Sequence, residues 1–174
     1  MSYFVVDVEA DAKSPATGSM VCFGVVKVDN DLKTTFYGET APISDYYNPE
    51  ALAISGFSRI EHENFPLPSI TMSQLEKWIK DVNVGGRPIF FSDNLAFDWM
   101  WIAHYFDYYN IENPFGWSGR RIGDIYCGIK GKTHAPWKHL RKTKHTHNPV
   151  DDAMGNAEVI LHMRDNMNFN IKLK

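Results

Sequence analysis

The chain opens with Tyr3-Phe4-Val5-Val6-Asp7-Val8-Glu9, an apolar, β-branched run that passes straight into two acids. Such side chains suit a pleated, largely buried backbone. In a strand, residues i and i+2 share a face. Asp7 and Glu9 therefore project together from a segment otherwise made for burial. Along a strand they stand about 7 Å apart. Two carboxylates so placed repel each other and resist desolvation unless a cation lies between them. Hard oxygen donors at this spacing suit Mg²⁺ or Mn²⁺. A strand end whose acids simply face water has the same local pattern, so the rest of the chain has to decide.

With 174 residues the chain is long enough for one domain, 1–174, with a substantial core. Hydrophobic content of 44% and 14% aromatics fit a folded globular chain rather than a disordered one. Cys22 and Cys127, the only cysteines, supply neither a disulfide framework nor a C-x-x-C metal site. The opening apolar run ends at Asp7, too short for a signal peptide, and nothing later reaches membrane-spanning length. A cytoplasmic protein without a membrane partner is expected. The net charge of −3 argues against coating nucleic acid in bulk but leaves room for a local basic patch. That patch lies between Lys130 and Val150, where no acid occurs and Lys138, Arg141, Lys142 and Lys144 alternate with His134, His139, His145 and His147. It reads either as a solvated face or as a phosphate-tracking edge beside an acidic site.

Periodicity and punctuation divide the chain into strands at 3–8, 20–28 and 32–39, the last two joined by Asp29-Asn30-Asp31. Residues 42–68 are irregular apart from a short helix at 49–54, ended by Gly56. A helical period runs over 69–82 and stops at Gly85-Gly86. A short strand at 88–91, a helix at 95–109, a weak strand at 118–122, a short helix at 124–129 and a closing helix at 149–166 complete the order. This predicts a mixed sheet: a three-strand antiparallel meander and then two parallel strands, with helices on the faces. Trp99, Trp101, Tyr105, Phe106, Tyr108 and Tyr109 make the 95–109 helix apolar almost all round, which fits burial in the core or against a second subunit.

Two later places echo the first acids. In Asn94-Leu95-Ala96-Phe97-Asp98 a strand hands over to a helix, with Asn94 suited to the N-cap and Asp98 on the first turn. In His147-Asn148-Pro149-Val150-Asp151-Asp152, Asn148 fits the N-cap and Pro149 the first helical position. Asp151 then falls where a carboxylate reaches back in a capping box. Asp152, about 100° further round the helix, is free to face the sheet.

Asp7-x-Glu9, Asn94-x-x-Phe97-Asp98 and His147-x-x-x-x-Asp152, in this order, resemble the three motifs of the DEDD exonucleases, in the branch whose third motif carries histidine. Ser19-Met20-Val21-Cys22-Phe23-Gly24 resembles that family's second strand, and Ala53-Ile54-Ser55-Gly56-Phe57-Ser58 its substrate loop. Where the family often has threonine after the first motif, this chain has Ala10 and then Asp11. The resemblance implies a ribonuclease-H-like fold. It also implies two Mg²⁺ or Mn²⁺ ions held by Asp7, Glu9, Asp98 and Asp152, with His147 taking a proton from the attacking water. The expected reaction is stepwise 3′-5′ hydrolysis of a single strand to nucleoside 5′-monophosphates. RNA is favoured over DNA because free-standing domains of this size resemble the RNA-trimming members, several of which are homodimers. Ala10, Met20, Gly56, Phe57, Asn94 and Phe97 are the expected contacts to the terminal nucleotide, and Lys138, Arg141, Lys142 and Lys144 those to phosphates. Rival readings are a ribonuclease-H-like endonuclease, a silent nucleic-acid-binding domain and a metal-stabilised interaction module.

Overall fold

The computed structural model describes residues 1–173. Five strands form one mixed sheet in the order β3-β2-β1-β4-β5, with β1 Tyr3–Ala10, β2 Met20–Lys27, β3 Thr35–Glu39, β4 Ile89–Ser92 and β5 Gly119–Arg121. β1, β2 and β3 pair antiparallel, and β1–β4 and β4–β5 pair parallel. The expected meander followed by two parallel strands is the architecture observed. Six helices surround it: α1 Pro49–Ile54, α2 Arg59–Glu63, α3 Pro68–Val82, α4 Leu95–Tyr108, α5 Ile122–Lys130 and α6 Pro149–Asn166.

The two faces of β1 separate by strand alternation. Phe4, Val6, Val8 and Ala10 pack with Met72, Leu75 and Ile79 of α3 and with Trp101, Ile102, Tyr105 and Phe106 of α4. Val5 turns the other way, onto a second core with Ala153, Ala157 and Ile160 of α6 and Ile122 and Tyr126 of α5. Asp7 and Glu9 continue the Val5 face, so they emerge beneath α6. The apolar girth of α4 is largely accounted for within one chain: Trp101, Ile102, Tyr105 and Phe106 are fully buried, while Tyr108 remains 61% exposed. Among the described residues no helix is long and apolar enough to cross a membrane.

Three local readings need correction. The 42–68 stretch holds a second helix, α2, opened by a capping box in which Ser58 and Glu61 satisfy each other's backbone N–H groups. β3 begins at Thr35 rather than at 32, because Leu32 turns left-handed (φ 54°) while Asp29 accepts its N–H at 2.8 Å. α5 begins at Ile122, which shortens β5 to three residues.

Candidate active site

β1 and β4 stay paired only from Tyr3↔Ile89 to Val5↔Phe91 and then part. Beyond that point the β4-side N–H groups of β1 have no strand to bond. The Val8 N–H is taken instead by Asp98, whose Oδ1 accepts it at 3.1 Å from the first turn of α4. Asn94 occupies the N-cap of that helix, but its side chain makes no capping bond. Asp98 is 2% exposed, and its second oxygen has no partner.

On the other side, α6 brings Asp152 down onto Asp7 and Glu9. Asn148 caps the helix as expected, accepting from Val150 and Asp151 N–H at 3.0 and 3.3 Å. The approach depends on Gly24, which pairs with Asp7 across β1 and β2. A Cβ there would overlap the carbonyl of Pro149 and the nitrogen of Val150. The start of α6 therefore lies directly on the sheet. One carboxylate oxygen from each of Asp7, Glu9 and Asp152 lies within 4.8 Å of the others.

The electrostatics of the group follow from this crowding. Burial first, then the charges of Asp98, Asp152 and Glu9, hold the Asp7 carboxyl well above the ordinary range, with Arg141 only partly opposing. Burial and then Asp152 push Glu9 up to about 7. Burial also pushes Asp98 up to about 7, with Asp93 and Glu9 adding to it against the Val8 hydrogen bond. Oxygen donors this crowded and this poorly solvated suit a hard divalent cation.

Asp152 is also gripped from the loop before α6. Its carboxylate accepts the Thr146 N–H at 3.0 Å and the His147 N–H at 3.2 Å, and His145 Nδ1 lies 2.7 Å away. His147 is left-handed (φ 61°), half-exposed, and has Nδ1 3.7 Å from Glu9 Oε1. Of the other histidines in the basic stretch, His145 also stands against a carboxylate of this group. Asp151 does not close a capping box. It accepts from Thr146 Oγ1 at 3.1 Å, while the Asn148 N–H is bound by the same hydroxyl oxygen.

The basic stretch divides. Arg141 is 10% exposed; its guanidinium donates to Asp93 and to Asn156 of α6 at 3.1 and 2.6 Å and lies over the Trp137 ring. Lys138 pairs with the same Asp93 at 2.6 Å. The Lys142 backbone donates to Glu158, on the side of α6 toward Asn30 and Asp31, while its side chain and that of Lys144 are exposed. Arg141 is thus a clamp between the end of β4 and α6, whereas Lys138, Lys142 and Lys144 are exposed to solvent.

Of the remaining expected nucleotide contacts, Gly56 is exposed (φ 81°) and Asn94 is exposed. Phe57 packs edge-to-face on Phe65, and Phe97 packs on Trp101, both partly buried. Met20 is fully buried and Ala10 nearly so. Sequence reasoning missed the tie that holds this loop. Arg59 of α2 reaches buried Asp11 at 3.2 Å, and fully buried His62 lies beside it. The only signal was an acid two residues beyond the first motif.

No family model matches the chain. It is 31% identical over 141 residues to the 3′-5′ DNA exonuclease Cap18 of Escherichia coli, covering 80% of this chain and 73% of that protein. Its fold is similar to the nuclease domain of 3′hExo, a DEDDh family member bound to rAMP (TM-score 0.77, 14% identity, 99% of this chain and 96% of that one). It is also similar to a zinc-bound E. coli exonuclease I–single-stranded DNA complex (TM-score 0.75, 15% identity), covering 97% of this chain and 41% of that one. The acids of β1, α4 and α6, the histidine loop above them and the identity to Cap18 lead to one conclusion: the chain belongs to the DEDDh family of 3′-5′ exonucleases, hydrolases of nucleic acid.

Proposed function

We propose that the chain removes nucleotides one at a time from the free 3′ end of a single strand, releasing nucleoside 5′-monophosphates. The observation that carries this is the meeting of Asp7, Glu9 and Asp152 within 4.8 Å, with Asp98 buried beside Val8. These four carboxylates would hold two Mg²⁺ or Mn²⁺ ions. Such ions, when bound, stabilise the charge on the attacking and departing oxygens. Asp7, whose carboxyl feels the charges of Asp98, Asp152 and Glu9 together, would anchor the set. His147, half-exposed with Nδ1 3.7 Å from Glu9, would take the proton of the attacking water. Asp152 orients that loop through the backbone of residues 146 and 147. The DNA activity in the name of Cap18 makes single-stranded DNA the first substrate to test, ahead of the RNA favoured by domain size.

A 5′-labelled single strand should shorten stepwise from its far end in Mg²⁺ or Mn²⁺. A circular strand and a 3′-phosphate should both resist. His147→Ala should lose about 10²–10⁴-fold in turnover while still binding the strand, the range of a positioned proton acceptor. Rapid cutting of the circle would favour the endonuclease reading. Absence of hydrolysis of DNA and RNA of every length, with binding intact, would favour a silent binding domain.

A further inference from the structure

His145 lies outside the three motifs, yet its Nδ1 stands 2.7 Å from Asp152 Oδ2. Its ring meets that of His147 at a centroid distance of 4.5 Å. One ligating atom from each of His145, His147 and Asp152 lies within 4.8 Å of the other two. This donor set differs in kind from the all-oxygen group of Asp7, Glu9 and Asp152. Two imidazoles and a carboxylate are the ligands Zn²⁺ takes, commonly three from the protein with one position open. Mg²⁺, a hard ion reluctant to shed water, has little use for imidazole.

The setting supports ligation. Both histidine side chains are about half exposed, 52% and 51%, so a cation reaches them from solvent. The left-handed turn at His147 sets the two rings, i and i+2 on the loop, on one side of it. Asp152 is held from behind by the Thr146 and His147 N–H groups, the outer support that ligating carboxylates use. Zinc bonds of about 2.0–2.2 Å place tetrahedral donors roughly 3.3–3.5 Å apart. Opening the His145–Asp152 contact to that span is within reach of an exposed side chain on a loop.

We infer that His145, His147 and Asp152 form a Zn²⁺ site, and that zinc held there arrests hydrolysis. The second half rests on the proposed function: zinc would occupy the proton acceptor and a carboxylate shared with the Mg²⁺ or Mn²⁺ ions. Two kinds of cation would then compete through Asp152, each weakening the other.

Zinc affinity is measured on the full chain, stripped of metal and without nucleic acid, by competition with a chromophoric zinc indicator in a large excess of Mg²⁺. One Zn²⁺ per chain should bind and resist displacement by Mg²⁺. His145→Ala, and His145→Gln should the alanine variant not fold, should weaken zinc by at least about tenfold, as expected for loss of a ligand. His134→Ala should bind as wild type does. Co²⁺ in place of zinc should give the visible absorption of nitrogen ligation in wild type, reduced in the His145 variants. Unchanged zinc affinity in the His145 variants, or ready displacement of wild-type zinc by Mg²⁺, overturns the site. If zinc binds as expected, an inhibitory concentration that does not rise in step with the weakened affinity overturns the arrest. Because affinity is read without substrate, zinc binding in a chain that hydrolyses nothing would count against the proposed function alone.

Discussion

Asparagine at position 7 keeps the shape of Asp7 and removes the charge that Glu9, Asp98 and Asp152 all oppose. Asp7→Asn should leave less than about a tenth of wild-type hydrolysis on a labelled single strand, since loss of cation anchoring is worth several kcal/mol in the barrier. In chelator at neutral pH its melting temperature should equal or exceed that of wild type, because a repulsion has gone. Asp151→Asn is the contrast: it loosens the Thr146 contact, costs about 1 kcal/mol or less, and should keep most activity. An essential Asp151 beside a dispensable Asp152 would reverse the two assignments. Asp7, Glu9, Asp98 and Asp152 could be picked from the sequence because strand alternation and helix capping are local rules. His145, Asp93 and Asn156 could not. They acquire neighbours only when the irregular segment before α6 folds back over β4, and nothing periodic in that segment announces where it goes.

The seating of α6 on the sheet is the element on which the site depends most. Gly24→Ala drives a methyl into the backbone of Pro149 and Val150, and backbone cannot step aside as a flexible side chain does. The substitution should cost about 1–3 kcal/mol in denaturant unfolding, as overpacked interiors do. It should also reduce hydrolysis well beyond that stability loss by lifting Asp152 off Asp7. Gly128→Ala in α5, where a Cβ meets nothing, should be neutral or stabilising by up to about 1 kcal/mol, with activity retained. Equal effects from the two would mean that α6 does not need the close approach. Bounds for α1 and α6 were legible because Asn48-Pro49 and Asn148-Pro149 pair a cap with a proline at the first turn. α2 was hidden among prolines and polar residues, although its capping box lay in plain sequence at Ser58 and Glu61.

Across the whole molecule, the raised carboxyls make stability depend on pH and metal together. Glu9 and Asp98 move from ordinary values of 4.5 and 3.8 up to about 7, so between these limits the folded chain binds more protons than the unfolded one. The contribution of these two groups to stability without metal should therefore be fully present below about 4, shrink as pH rises, and be lost above about 7. Mg²⁺ should raise the melting temperature at pH 8 and have little effect at pH 5, where protons already occupy the oxygens. A metal-free melting temperature that climbs from pH 5 to 8 would contradict the crowding. The sheet order was legible at this scale because three close strands and two later ones, separated by helices, leave few topologies. Its consequence concerns synthesis. Asp7 and Glu9 come early in the chain and Asp152 late, joined in space by the pairing of Asp7 with Gly24 and the start of α6 on that glycine. On the ribosome the first acids emerge long before their partner, so under the proposed function a nascent chain without α6 would lack the complete carboxylate set and could not hydrolyse nucleic acid before its synthesis ends.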